Sequence, residues 1–286
     1  MTEEYLKEYK KMKRIIIALL LMICGIGVYG CGSSEEKQII QGSCSENDYI
    51  WDGNLIKGLS DEGAKKKVLI IPKRCEGFEE KIFAARENTV KKVSFESDKD
   101  IPLGGVFSCT SSIEQVILPR ELAMIGAFEF WNSSGIKTLT IPSNVLIIDE
   151  YAFKGMTSLQ EIVFEGEITE IRDHAFEDCY MLKKIVLPDS VVVIGESAFS
   201  NCRALKKVIL PTGLTEVGEY AFYGCDKLKK IVVPEEMTLS SYDATSIGQV
   251  KMFTIEKEVP TVRVVKDSWA DQHFQDVFGK FKKKYQ

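Results

Sequence analysis

Apolar residues recur along this chain every 23 residues, always in the same phase. LKKIVLPDSVVVIGESAFSNCRA begins at Leu182, LKKVILPTGLTEVGEYAFYGCDK at Leu205, and LKKIVVPEEM opens a third copy at Leu228. Pro119, Pro142, Pro188, Pro211 and Pro234 mark one slot, with Glu165 where proline is missing. Eleven residues after each slot stands a phenylalanine: Phe130, Phe153, Phe176, Phe199 and Phe222. With one extra residue the phase also picks up Phe107, Phe83 and Pro72. Within a copy, Ile185 and Leu187 alternate with polar or exposed positions, which predicts a strand. Val191 and Ile194 follow, and Gly195 or Gly218 is expected to supply a turn conformation. Ala198 and Phe199 then open a short turn or helical segment ending near Cys202.

A coil this short buries an apolar face only against another coil. A fixed period of roughly 20 to 29 residues with apolar positions in register predicts a leucine-rich-repeat solenoid. We expect about eight 23-residue coils between residues 50 and 234, with parallel strands stacked roughly 4.8 Å apart. The phenylalanines would form one column of rings, and Leu182, Leu205 and Leu228 a column of aliphatics. Stacks need polar ends, so caps are expected at both. Residues 47–63 read as the first, with Ile50, Trp51, Leu55 and Ile56 as apolar contacts, so that cap and solenoid together span 47–234. Residues 235–286 read as the closing cap, with a strand at 262–265 and an amphipathic helix from Asp267. That helix would carry Trp269, Phe274, Val277, Phe278 and Phe281 near one face, and Lys280 with Lys282, Lys283 and Lys284 at its C-terminus.

The first 30 residues read as an address. An apolar run from Ile15 to Val28 follows Lys10, Lys11, Lys13 and Arg14, and it is short for a membrane-spanning helix. Met12 reads as a more natural start than Met1. Val28-Tyr29-Gly30-Cys31 resembles the cleavage and lipidation box of bacterial lipoproteins, with Tyr29 departing from the usual small residue. The resemblance implies a signal peptide over 1–30, acylation of Cys31, a polar tether over 31–46 and lipid anchoring in the bacterial cell envelope, at the cell surface. Stable anchoring needs more than one acyl chain, and lipoproteins of this class carry two or three. An ordinary secreted protein with a fortuitous cysteine is the alternative.

Charge and motifs narrow the function. Residues 1–30 hold five basic and three acidic side chains, so the chain's net charge of −5 becomes −7 for the remainder. A mildly acidic domain argues against a nucleic-acid partner. Gly25, Gly27 and Gly30 spell the dinucleotide-binding spacing, but inside the address segment, with neither the strand nor the helix that the motif needs. Cys179, Cys202 and Cys225 lie one coil apart, along a line, whereas a metal site needs converging ligands. They read as small buried apolar residues, and neither a metal nor another cofactor is expected. Cys44, Cys75 and Cys109 fall outside that ladder, and oxidation of Cys44 with Cys75 is open. The two histidines, His174 and His273, belong to no catalytic spacing, and no enzyme is expected.

The candidate binding residues lie on the strands. With Ile185 and Leu187 inward, Lys184 and Val186 point outward. Stacking then gives one column of Gln115, Thr138, Glu161, Lys184, Lys207 and Lys230. A second holds Ile117, Thr140, Val163, Val186, Ile209 and Val232. Lys184, Lys207 and Lys230 beside Val186, Ile209 and Val232 form a basic and apolar strip of the kind that marks binding sites. The plainer account is that β-branched residues favour strands and lysines discourage edge aggregation. Glu150, Asp173, Glu196 and Glu219 form an acidic column that reads as a solvated face.

The repeat L-x-x-I-x-L-P-x-x-V-x-x-I-G-x-x-A-F-x-x-C resembles the BspA-type (Treponema-pallidum-type) bacterial leucine-rich repeat, closely over 136–234 and degenerately over 68–119. The resemblance implies a surface or secreted protein of a host-associated bacterium, with a role in adhesion or cell interaction. The implied partner is a protein or glycan, host-derived ones included, and the implied role is non-enzymatic. A structural spacer or envelope component without a specific soluble ligand is the alternative.

Overall fold

The computed structural model describes residues 45–84, 88–235, 261–274 and 282–285. Its coils stack by pairing each strand with the residue 23 positions on. Thr138–Ile141 runs parallel to Glu161–Phe164 with Thr138 opposite Glu161, and Lys207–Ile209 runs parallel to Lys230–Val232 with Lys207 opposite Lys230. Val68–Ile71, Lys92–Phe95 and Gln115–Val116 form the equivalent rungs at the N-terminal end. Along each strand the burial alternates, as in Thr138–Ile141, where Leu139 and Ile141 are buried and both threonines exposed.

A second side of each coil holds a two-residue strand. Met124–Ile125, Ile147–Ile148, Glu170–Ile171, Val193–Ile194 and Glu216–Val217 make a five-stranded parallel sheet. The third side is a turn segment joined to its neighbours by backbone hydrogen bonds. Phe130 N–H donates to the Ala152 carbonyl at 2.7 Å, and Phe176 N–H to that of Ala198 at 2.7 Å. Each such turn uses left-handed residues at two places. One place holds Phe128, Tyr151, His174, Ser197 and Tyr220, the other Asn132, Gly155, Asp178, Asn201 and Gly224. Most of these are not glycine, and the regular ladder of bonds between coils offsets the conformational cost.

Together these elements make a leucine-rich-repeat solenoid of about nine turns. The expected ring column is present. Phe83, Phe107, Phe130, Phe153, Phe176, Phe199 and Phe222 stack with centroids 4.9 to 5.6 Å apart and are fully buried. Burying each ring contributes on the order of 2–3 kcal/mol. Cys179, Cys202 and Cys225 are buried free thiols, and each Sγ lies 3.2–3.3 Å from a phenylalanine carbonyl of the preceding coil. Ser133 occupies the same slot and donates its hydroxyl to the Phe107 carbonyl. The slot therefore wants a small group that is buried yet able to donate.

Four expectations are corrected. Gly195 and Gly218 are not used for a left-handed turn. A Cβ on Gly195 would lie 2.6 Å from the Asp173 backbone nitrogen, and one on Gly218 would lie 2.3 Å from that of Glu196. Glycine is needed there because neighbouring coils touch. The N-terminal cap is a hairpin of Tyr49–Asp52 and Leu55–Leu59, followed by a helix at Asp61–Lys65. Tyr49 and Ile56 are buried and Trp51 packs on the core, but Ile50 and Leu55 point to solvent, 54% and 40% exposed. Antiparallel pairing in the hairpin assigns inward and outward positions that a list of apolar residues does not. Asp48, buried beneath this cap, pairs with Lys66 at 2.6 Å.

At the other end, Thr261–Val264 continues the first sheet, parallel to Lys230–Val232. The helix that follows is one turn long, Trp269–Gln272, capped by the Ser268 hydroxyl. Lys282, Lys283 and Lys284 do not end that helix. Lys282–Tyr285 is a strand parallel to Thr261–Val264, with Lys284 opposite Arg263. Val277, Phe278, Lys280 and Phe281 lie outside the described residues, as do Cys31, Cys44 and the whole address segment. The fourth correction concerns Val232 and belongs to the binding face.

Candidate functional site

The strand face is built by register alone. Because each rung is parallel to the next and offset by one repeat, residues at one repeat position form a column along the stack. Glu161 bridges to Lys184, Lys207 pairs with Lys230, and Lys230 pairs with Thr261, which pairs with Lys282. One column thus changes from acid to a run of cations. Two residues along each strand, Ile209 pairs with Val232, Val232 with Arg263, and Arg263 with Lys284. The columns lie roughly 7 Å apart, two residues of extended chain.

Lys184, Lys207 and Lys230 are therefore adjacent, as the repeat implies. Their heads have no acidic partner among the described residues other than the neighbouring Glu161. Burial against the sheet holds the Lys184 and Lys230 ammonium groups below the usual lysine range. Lys207 adds repulsion at Lys184, and Arg263, Lys207 and Lys284 add it at Lys230. Elsewhere the chain does pair its cations, as in Arg172 with Asp149 at 3.0 Å and Lys154 with Glu177 at 2.7 Å.

The apolar half of the strip is smaller than the repeat suggests. Val186 and Ile209 are half-buried, but Val232 is only 4% exposed, so it belongs to the core rather than to the surface. Arg263 stands on the next rung at that position. Arg263, Lys282 and Lys284 extend the cationic columns, yet no repeat motif points to them. Their strands follow the last recognisable copy and became rungs only through pairing.

A second ordered surface lies on the turn side. Phe128, Tyr151 and His174 stack outside the core with centroids 4.9 and 4.7 Å apart, both pairs tilted by 6°. Phe128 is 45% exposed and meets Trp131 edge-on. Lys154 lies 5.4 Å over the Tyr151 ring, and His174 Nδ1 is 2.8 Å from Glu177 Oε2. His174 is thus one rung of a ladder. The shared 23-residue slot of Phe128, Tyr151 and His174 is the sequence signal that identifies it. Of the acidic column beside it, Glu150, Glu196 and Glu219 are exposed and Asp173 half-buried. Among the described residues no group of three or more His, Cys, Asp or Glu side chains could hold a metal ion.

The repeat matches the family described as the BspA type leucine rich repeat region, in six copies over residues 63–160 and 123–251. No curated protein matches the chain significantly. Among solved structures, a leucine-rich-repeat protein of T. pallidum is 25% identical, with 68% of this chain and 72% of that one covered at a TM-score of 0.41. A leucine-rich repeat protein from Bacteroides ovatus is 16% identical over 86% of this chain and all of that one, with a TM-score of 0.36. A leucine rich cell surface protein from Faecalibacterium prausnitzii is 15% identical over 86% of each chain, with a TM-score of 0.28.

Proposed function

Because the chain belongs to the BspA-type leucine-rich repeat family, we propose that it is a non-enzymatic bacterial cell-surface lipoprotein that binds a protein or glycan partner through its strand face. The observation that carries this reading is the column of Lys184, Lys207 and Lys230, stacked on successive rungs with Glu161, beside Lys184, as the one acidic neighbour among the described residues. Like charges opposite one another on paired strands cost stability. The fold needs no lysine at these positions, since the equivalent coils carry Gln115 and Thr138. A partner bearing negative charge would recover that cost on binding. The address segment and Cys31 support placement of this face outside the cytoplasm, held to a membrane by lipid.

The test is binding of the full chain, in mild detergent, to immobilised extracellular-matrix proteins and glycans. It is set beside a variant with Lys184→Glu, Lys207→Glu and Lys230→Glu, checked for fold by circular dichroism. A partner lost in the variant supports the strand face. A partner retained at equal affinity removes that face from the reading, and no partner at all favours the spacer alternative.

A further inference from the structure

Resting on the strand-face reading, we propose that its basic end takes a linear anionic polysaccharide laid across the rungs, with acid groups over two cation columns. The first column runs Lys184, Lys207, Lys230 and, beyond Thr261, Lys282; the second is Arg263 and Lys284.

Three features select this ligand class. The charges are periodic in the stacking direction, one rung being roughly 4.8 Å. That is comparable to the length of one pyranose unit across its glycosidic bonds, so a straight polysaccharide can meet successive rungs with successive acid groups. Next, the rungs of Lys184 and Lys207 carry aliphatics two residues along, Val186 and Ile209, both half-buried. They offer the C–H faces of sugar rings a flat apolar floor. Finally, no aromatic residue stands on the rungs of Lys184, Lys207 or Lys230, and Phe95, Phe164 and Tyr285 end strands at positions paired with the buried Ile71, Ile141 and Val264. Single-stranded nucleic acid binds by stacking bases on aromatic side chains along a basic groove. This face has the charge and lacks the platform.

Edge protection does not account for all of these cations. Lysines on a terminal strand do discourage edge pairing, and Lys282–Tyr285 is the last strand of its sheet. Lys230 lies on an inner strand, flanked by Lys207–Ile209 and Thr261–Val264, where no edge needs protecting, although Lys207–Ile209 is itself the first strand of that sheet. Nor do pairing acids explain them, because Glu161 flanks only the first.

The experiment immobilises heparin, polygalacturonate, neutral dextran and single-stranded poly(dT), and measures binding of the full chain in mild detergent over a series of salt concentrations. Two double variants, Lys207→Glu with Lys230→Glu and Arg263→Glu with Lys284→Glu, report on the two columns. Lys73→Glu with Lys99→Glu, exposed cations at the other end of the solenoid, serves as the control. Expected is salt-sensitive binding to heparin or polygalacturonate, identifying sulfate or carboxylate as the favoured acid group. Each site variant should weaken it roughly tenfold or more, while the control does not. Silence with both acidic polysaccharides, equal or tighter binding to poly(dT), or indifference to both site variants would overturn the proposal. A matrix protein still captured through Lys184, Lys207 and Lys230 would then leave the broader reading standing and remove only the polysaccharide.

Discussion

Glu129 accepts a hydrogen bond from the Gly105 backbone N–H, Oε2 to nitrogen 3.0 Å, and so ties two successive coils together. The slot holds Ala152, Ala175, Ala198 and Ala221 in later coils. In the coil before it, Gly104 and Gly105 are both left-handed. The carboxyl is buried and its other oxygen, Oε1, has no partner among the described residues. Burial raises the group from its usual value to about 7, against the smaller opposing effect of the backbone donors of Gly105, Phe107 and Val106.

A pH dependence follows from that raised value. The folded state holds the proton up to about pH 7, whereas the unfolded chain releases it near 4.5. The stabilising contribution is full below 4.5 and is lost as pH rises through 7. Relative to Glu129→Gln, the native chain should lose on the order of 3 kcal/mol between those limits. Urea denaturation of both proteins at several pH values checks this, and parallel pH profiles would refute it.

Coil contact, not backbone freedom, should govern the repeat glycines. Gly218→Ala places a methyl 2.3 Å from the Glu196 nitrogen and is expected to cost about 1–3 kcal/mol or more. Gly105→Ala meets open space and is opposed only by its left-handed φ of 75°, a penalty of about 1–2 kcal/mol. Thermal melts of the pair should rank Gly218→Ala as the more damaging. The reverse order would return the repeat glycines to a conformational role.

Thiol reactivity should divide the cysteines. Burial raises the Cys179 and Cys202 thiols well above the usual value and pushes Cys225 up to about 12, so none forms a thiolate near neutral pH. Cys109 is exposed. Alkylation of the native protein at pH 8, read by peptide mass spectrometry, should modify Cys109 and spare the other three until denaturant is added. Cys202→Ser should fold, since Ser133 fills the same slot with a donor to the Phe107 carbonyl.

The lysine column should be a burden on the fold. Lys207→Glu places an acid between Lys184 and Lys230 and is expected to leave stability unchanged or raise it by a few tenths of a kcal/mol. Calorimetry of this variant, set beside its loss of binding, separates the two roles. A clear fall in melting temperature would make the column structural.

Much of this molecule follows from arithmetic on the chain. Parallel coils of equal length place residue i beside residue i+23, so Phe176 must meet Phe153 and Phe199 and Lys207 must meet Lys230 once the solenoid forms. The core column, the thiol slot and the outward lysines were legible for that reason, and the same spacing already contained the Phe128, Tyr151 and His174 ladder. What spacing does not carry is the distance between coils or the fate of segments outside the repeat. Only the packed coils show that Gly195 is hemmed in by Asp173 and that Val232 is covered where its counterparts Val186 and Ile209 are half-open. Only strand pairing brings Arg263 and Lys284 together, because the contact spans a stretch of chain with no period and depends on which backbone groups the last rung leaves to be paired.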